Sequence, residues 1–157
     1  MFVSRRDFLL FAGTVGIYAG PSAGLQAFGD NTKVQVNVDL NKVAIRGYDT
    51  VGYFTDGRPI QGKSDFESVW LGARWWFASE AHRDMFAKQP ENYAPRFGGF
   101  CAGAMALGAT VRADPEAWTI IDGKLYLNAD KEGLADFERS SASNIQSAEE
   151  HWKVVGR

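Results

Sequence analysis

The chain has 157 residues with 17 basic and 19 acidic side chains, a formal net charge of −2, and no clustered cationic run. That balance argues against nucleic acid or anionic lipid as partners, since both demand a concentrated positive surface. A single cysteine, Cys101, rules out an intramolecular disulfide, so stability must come from packing, for which five Trp, five Tyr and eleven Phe supply the material.

In chain order, the first signal is Arg5-Arg6 ahead of the short apolar run Phe8 to Ala19, which resembles a twin-arginine export signal. The run is about a dozen residues, where a bilayer span needs roughly 20, so it predicts no permanent membrane span. Small residues follow, and cleavage after Ala23 or after Ala27 fits equally, giving a signal over about 1–27 and one domain over 28–157. The expected location is the periplasm, with the twin-arginine export machinery as a transient partner. Without Arg5, Arg6 and Asp7 the chain keeps 15 basic and 18 acidic residues.

Val34, Val36 and Val38 alternate with polar residues within Asp30 to Asp39, the period of a half-buried strand, and Lys42 to Tyr48 reads as a second strand. Asp49 is placed to cap a single helical turn, Thr50 to Phe54. Phe66 to Leu71 and Arg74 to Phe77 flank Gly72-Ala73, the spacing of a hairpin with a Gly-first turn. Ser79 then caps a helix over Glu80 to Lys88, which Pro90 stops. Asp122-Gly123 between Thr119–Ile121 and Lys124–Leu127 is the strongest hairpin signal. Two helices follow, Lys131 to Arg139 and Ile145 to Val155, the second capped by Asn144 and striped by Ile145, Ala148 and Trp152. No internal repeat is apparent. The predicted fold class is α+β: a small compact domain of antiparallel β-hairpins with short helices and a C-terminal helical segment.

The run from Trp75 to Phe86, continuing through Pro90-Glu91-Asn92-Tyr93, resembles the core of a YHS domain. Gly47-Tyr48-Asp49, Gly98-Gly99-Phe100-Cys101, Asp114 to Trp118 and Asp122 to Asn128 extend the resemblance to secreted, single-domain bacterial YHS proteins, from about Val43 to Trp152. The resemblance implies a metal-binding, especially copper-binding, domain. The sequence departs from the metal-associated pattern at Ala78 and His82, where relatives carry cysteines, and the naming tripeptide is absent.

Four residues are candidate metal ligands. Cys101 precedes a small-residue stretch that suits a helix start, where local amides favour the thiolate. Met105 follows at i+4, and thiolate with thioether suits Cu(I) or another soft transition metal. His82 keeps a ligand-capable side chain, with Met85 nearby; His151, beside Glu149 and Glu150, reads as solvated. No hydrolase or nucleotide-binding motif occurs, so the leading expectation is a non-catalytic periplasmic metal-binding or metal-sensing domain, with a periplasmic metal-handling protein as partner. Two alternatives stay open. One is a single-thiol redox or thiol-transfer accessory using Cys101. The other is a module without metal whose ligand or partner site is lined by Tyr48, Asp49, Tyr53, Trp75, Trp76 and Trp118.

Overall fold

The structure, a computed structural model, describes residues 35–156, within the compact unit Thr32–Arg157. Arg5, Arg6, the signal over 1–27 and Val34 lie outside the described residues. Two antiparallel hairpins and six helices make up the α+β fold. The elements are α1 (Gly52–Thr55), β1 (Lys63–Trp70), β2 (Ala73–Phe77), α2 (Glu80–Lys88), α3 (Pro90–Tyr93), α4 (Ala102–Ala106), β3 (Asp114–Ile121), β4 (Lys124–Asn128), α5 (Lys131–Arg139) and α6 (Ser141–Val155). Short 3₁₀ turns at Ile45–Gly47 and Arg96–Gly99 precede α1 and α4. Among the described residues no helix is long and apolar enough to cross a membrane.

The local chemistry accounts for most of these boundaries. On β2, Ala73, Trp75 and Phe77 are buried while Arg74 and Trp76 between them are not, the two-residue period of a strand. Ser79 caps α2 by accepting the His82 backbone N–H at 3.2 Å, and Asp130 caps α5 by accepting that of Gly133 at 2.7 Å.

Several expectations are corrected. Lys42 to Tyr48 is not a strand: Ile45, Arg46 and Gly47 all have positive φ, so the chain coils through a left-handed turn that no strand accommodates. Of the Val34 to Val38 pattern, only the isolated bridge from Val38 to Ala44 appears among the described residues. The first hairpin turns at Leu71-Gly72 rather than Gly72-Ala73, with both φ values positive at 50° and 73°, as in a type I′ turn; Ala73 is then the first, buried residue of β2. The last helix begins at Ser141, and Asn144 lies inside it, its Nδ2 donating to Phe137 O at 3.0 Å.

The fold also contains a repeat that the sequence conceals. Lys63 and Asp114, Ala73 and Lys124, Glu80 and Lys131, and Pro90 and Ser141 begin equivalent elements, each 51 residues apart. The left-handed residues recur at the same interval: Arg46 and Phe97, Gly47 and Gly98, Gly57 and Gly108, Leu71 and Asp122, Gly72 and Gly123. Each hairpin has a register shift in the first half of its first strand, between Lys63 and Glu67 and between Asp114 and Trp118.

Two apolar clusters reflect this repetition. The first holds Tyr53, Trp75, Phe77 and Phe86; the second holds Met105, Tyr126 and Phe137, closed by Ala148 and Trp152 of α6. Trp75 and Tyr126 are counterparts, as are Phe86 and Phe137. Aromatic rings meet edge-on or tilted throughout, as in Trp75 with Phe86 at 5.1 Å and Tyr126 with Phe137 at 5.6 Å.

Candidate functional site

The most concentrated polar chemistry lies where the first hairpin hands over to α2. Asp49 is fully buried, and its carboxylate accepts four hydrogen bonds. Oδ1 takes the backbone N–H groups of Val51 at 2.9 Å and Gly52 at 3.2 Å, capping α1. Oδ2 takes the N–H of Ala78 at 2.8 Å and ring Nδ1 of His82 at 2.7 Å. An ionised carboxylate only accepts, so Nδ1 carries the proton. In the neutral ring the lone pair then lies on Nε2, which faces Thr55 Oγ1 at 3.4 Å and Asp56 Oδ2 at 3.8 Å. The His82 side chain is 17% exposed, so this nitrogen stands at the protein surface with its far side anchored in the core. A carboxylate behind an imidazole fixes tautomer and orientation and raises ligand basicity, the arrangement behind many metal-bound histidines.

The repeat tests which parts of this joint the fold requires. The second 3₁₀ turn is one residue longer than the first, so the counterpart of Asp49 is Cys101, 52 residues on. The backbone agrees, since Asp49 N–H donates to Ile60 O at 2.8 Å and Cys101 N–H to Val111 O at 2.9 Å. Cys101 caps α4 as Asp49 caps α1, its Sγ accepting the N–H of Ala104 at 3.4 Å. The cap thus recurs in both halves of the repeat. The imidazole does not, because Gly133 stands 51 residues after His82.

Cys101 is buried at 4% exposure, with Sγ 3.8 Å from Oδ1 of Asn128, which also accepts the N–H of Gly103 at 3.1 Å. Met105 is fully buried in the second cluster, at the place Tyr53 takes in the first, while Met85 is half-buried against the first cluster. Cys101 and Met105 share the α4 turn through Met105 N–H donating to Cys101 O at 2.9 Å. His82 shares no hydrogen-bond partner with either. Among the described residues no group of three or more His, Cys, Asp or Glu gathers to hold an ion. His151 is exposed, as its acidic neighbours suggest, with Nδ1 3.1 Å from Met105 O.

The aromatic set divides. Tyr53 and Trp75 are core, and Tyr53 meets Trp118 edge-on at 5.1 Å while its hydroxyl donates to Pro115 O at 2.9 Å. Burial, with Glu116 nearby, drives the Tyr53 phenol far above its ordinary range. Tyr48 is half-buried and donates to Glu116 Oε1 at 3.2 Å; desolvation first, then that hydrogen bond, raise its pKa.

The Asp49–His82 pair escaped the sequence reading because its members are 33 positions apart and Asp49 already had a sufficient role as a cap. The visible signal was that Asp49 stands in Gly47-Tyr48-Asp49, part of the family resemblance.

Residues 51–97, from the start of α1 into the second 3₁₀ turn, match the family model of the YHS domain. The match spans less than the Val43 to Trp152 resemblance, and it includes His82 but stops short of Cys101. No curated protein and no solved structure matches the chain. The family is one of proposed metal-binding domains.

Proposed function

We propose that the protein is a non-catalytic metal-binding domain of the periplasm, exported by the signal at Arg5-Arg6, with Nε2 of His82 as its principal ligand. The observation that carries this reading is the buried Asp49 carboxylate at 2.7 Å behind Nδ1, at a joint whose counterpart does without an imidazole. The donors around Nε2 are one imidazole, the Asp56 carboxylate and the Thr55 hydroxyl, which fits an open site rather than a closed cage. Water or a metal-handling partner would complete it, as suits transfer more than storage. Nitrogen and oxygen donors favour Cu(II) over other divalent first-row ions. The soft alternative, Cu(I) anchored by Cys101 with Met105, uses two buried sulfurs.

Titration of the purified protein with Cu(II) and Zn(II), in competition with a chelator, separates these readings. His82→Gln is expected to weaken binding by at least an order of magnitude, and Asp49→Asn by roughly 10- to 100-fold. Cys101→Ala should bind as the parent does. Undiminished affinity in His82→Gln would refute the imidazole site, and loss confined to Cys101→Ala would move the metal to the thiol.

A further inference from the structure

A groove of about 390 Å³ runs between the two clusters, on a different part of the surface chemistry from His82 and sharing no residue with that site. The half-buried Trp70 of the first hairpin and Trp152 of α6 line it, over the buried Trp75 and Phe97, with Ala94 to Gly98 along it. Its volume and aromatic lining are those of a small-molecule site, for which a few placed polar groups normally fix orientation.

Arg96 supplies such a group. Its Nε is buried and has no hydrogen-bond partner, while Nη2 makes a long contact of 3.3 Å to Glu149 Oε1. A guanidinium presents five donors in a planar fork; this one is 39% exposed where it lines the groove, and its geometry matches a carboxylate. Glu91 also lines the groove but is exposed at the rim, where water solvates it.

The turn at Leu71 gives a second, independent observation. Leu71 and Asp122 hold the same left-handed position in the two hairpins, each with φ of 50°. Asp suits that position, whereas Leu does not. Leu71 nevertheless stands there with 38% of its surface exposed, and it lines the groove. A local rule is broken where an apolar side chain extends the groove wall, the kind of conflict that accumulates at functional sites.

We infer that this groove binds a small aromatic carboxylate, its ring between Trp70 and Trp152 and its carboxylate on the free edge of Arg96. The probe is 2-naphthoate, with naphthalene-2-methanol as its uncharged counterpart and decanoate as an aliphatic carboxylate. Binding to the purified protein is followed by calorimetry and saturation-transfer NMR. Naphthoate should saturate with a Kd of ~1 mM or below. The alcohol and decanoate should each bind more weakly. Arg96→Gln is expected to reduce naphthoate affinity about tenfold. Leu71→Asp, a substitution the Asp122 turn shows to be compatible with the backbone, should weaken naphthoate more than the alcohol. His82→Gln should change nothing, which keeps this outcome separate from the metal reading. Equal binding of alcohol and carboxylate, equal binding of decanoate, indifference to Arg96→Gln, or absence of saturation would overturn the inference.

Discussion

A carboxylate without solvent contact and with four donors around it makes Asp49 the most constrained polar residue of the described chain. Removing it leaves three backbone N–H groups and an imidazole without an acceptor inside the protein. Asp49→Ala is therefore expected to cost about 3–5 kcal/mol in urea denaturation, as when one partner of a buried charged network is deleted. His82→Gln should cost less, about 1 kcal/mol, because Asp49 keeps its three backbone donors. A reversed order would mean that the imidazole, rather than the cap, holds the joint. Tyr53 carries the clearest pH dependence. Its folded pKa lies above the unfolded value, so its contribution is complete below about pH 10 and is lost as pH rises past that point. Tyr53→Phe should flatten the fall in stability on the alkaline side, measured as Tm against pH.

Among the elements, the two hairpins share one backbone and differ in how well their turns suit it. Leu71→Asn places a residue that favours left-handed φ where leucine now sits, and should raise stability by about 0.5–1 kcal/mol in chemical denaturation. An unchanged or lowered value would mean that Leu71 packs more tightly than its exposure suggests. These elements were also the most legible part of the sequence. Ser79, Pro90, Asp122-Gly123 and the span Lys131 to Arg139 announce themselves through local chemistry, and the structure follows them. The failures came where short-range rules compete. Val43-Ala44-Ile45 looks like a strand, yet Asn37 O accepts the Ile45 N–H at 3.1 Å while the chain turns left-handed through Gly47. The first turn begins at Leu71 rather than at the glycine, because leucine takes the left-handed position that a Gly-first turn reserves for glycine.

Taken as a whole, the molecule shows why the candidate site was only half visible. Cys101 and Met105 drew attention because sulfur is scarce, whereas their places in the fold are those of a cap and of core Tyr53. His82 was recognisable as a ligand type, but the carboxylate that orients it could be found only after the chain closed on itself. The repeat was hidden for the same reason: equivalent positions keep backbone conformation and burial, as in Trp75 and Tyr126, rather than identity. Its consequence concerns autonomy. One unit, the 3₁₀ turn through the helix after its hairpin, has about 45 residues, near the size at which a chain cannot bury enough surface alone. Leu125 and Leu127 of the second unit already sit in the cluster of the first. A fragment ending after α2 should therefore be unfolded by circular dichroism, or else self-associate, and a monomeric, cooperatively melting fragment would contradict this. By the same logic, a forerunner made of a single unit would have met its core only in a second copy of itself, and joining the two in one chain made that encounter independent of concentration.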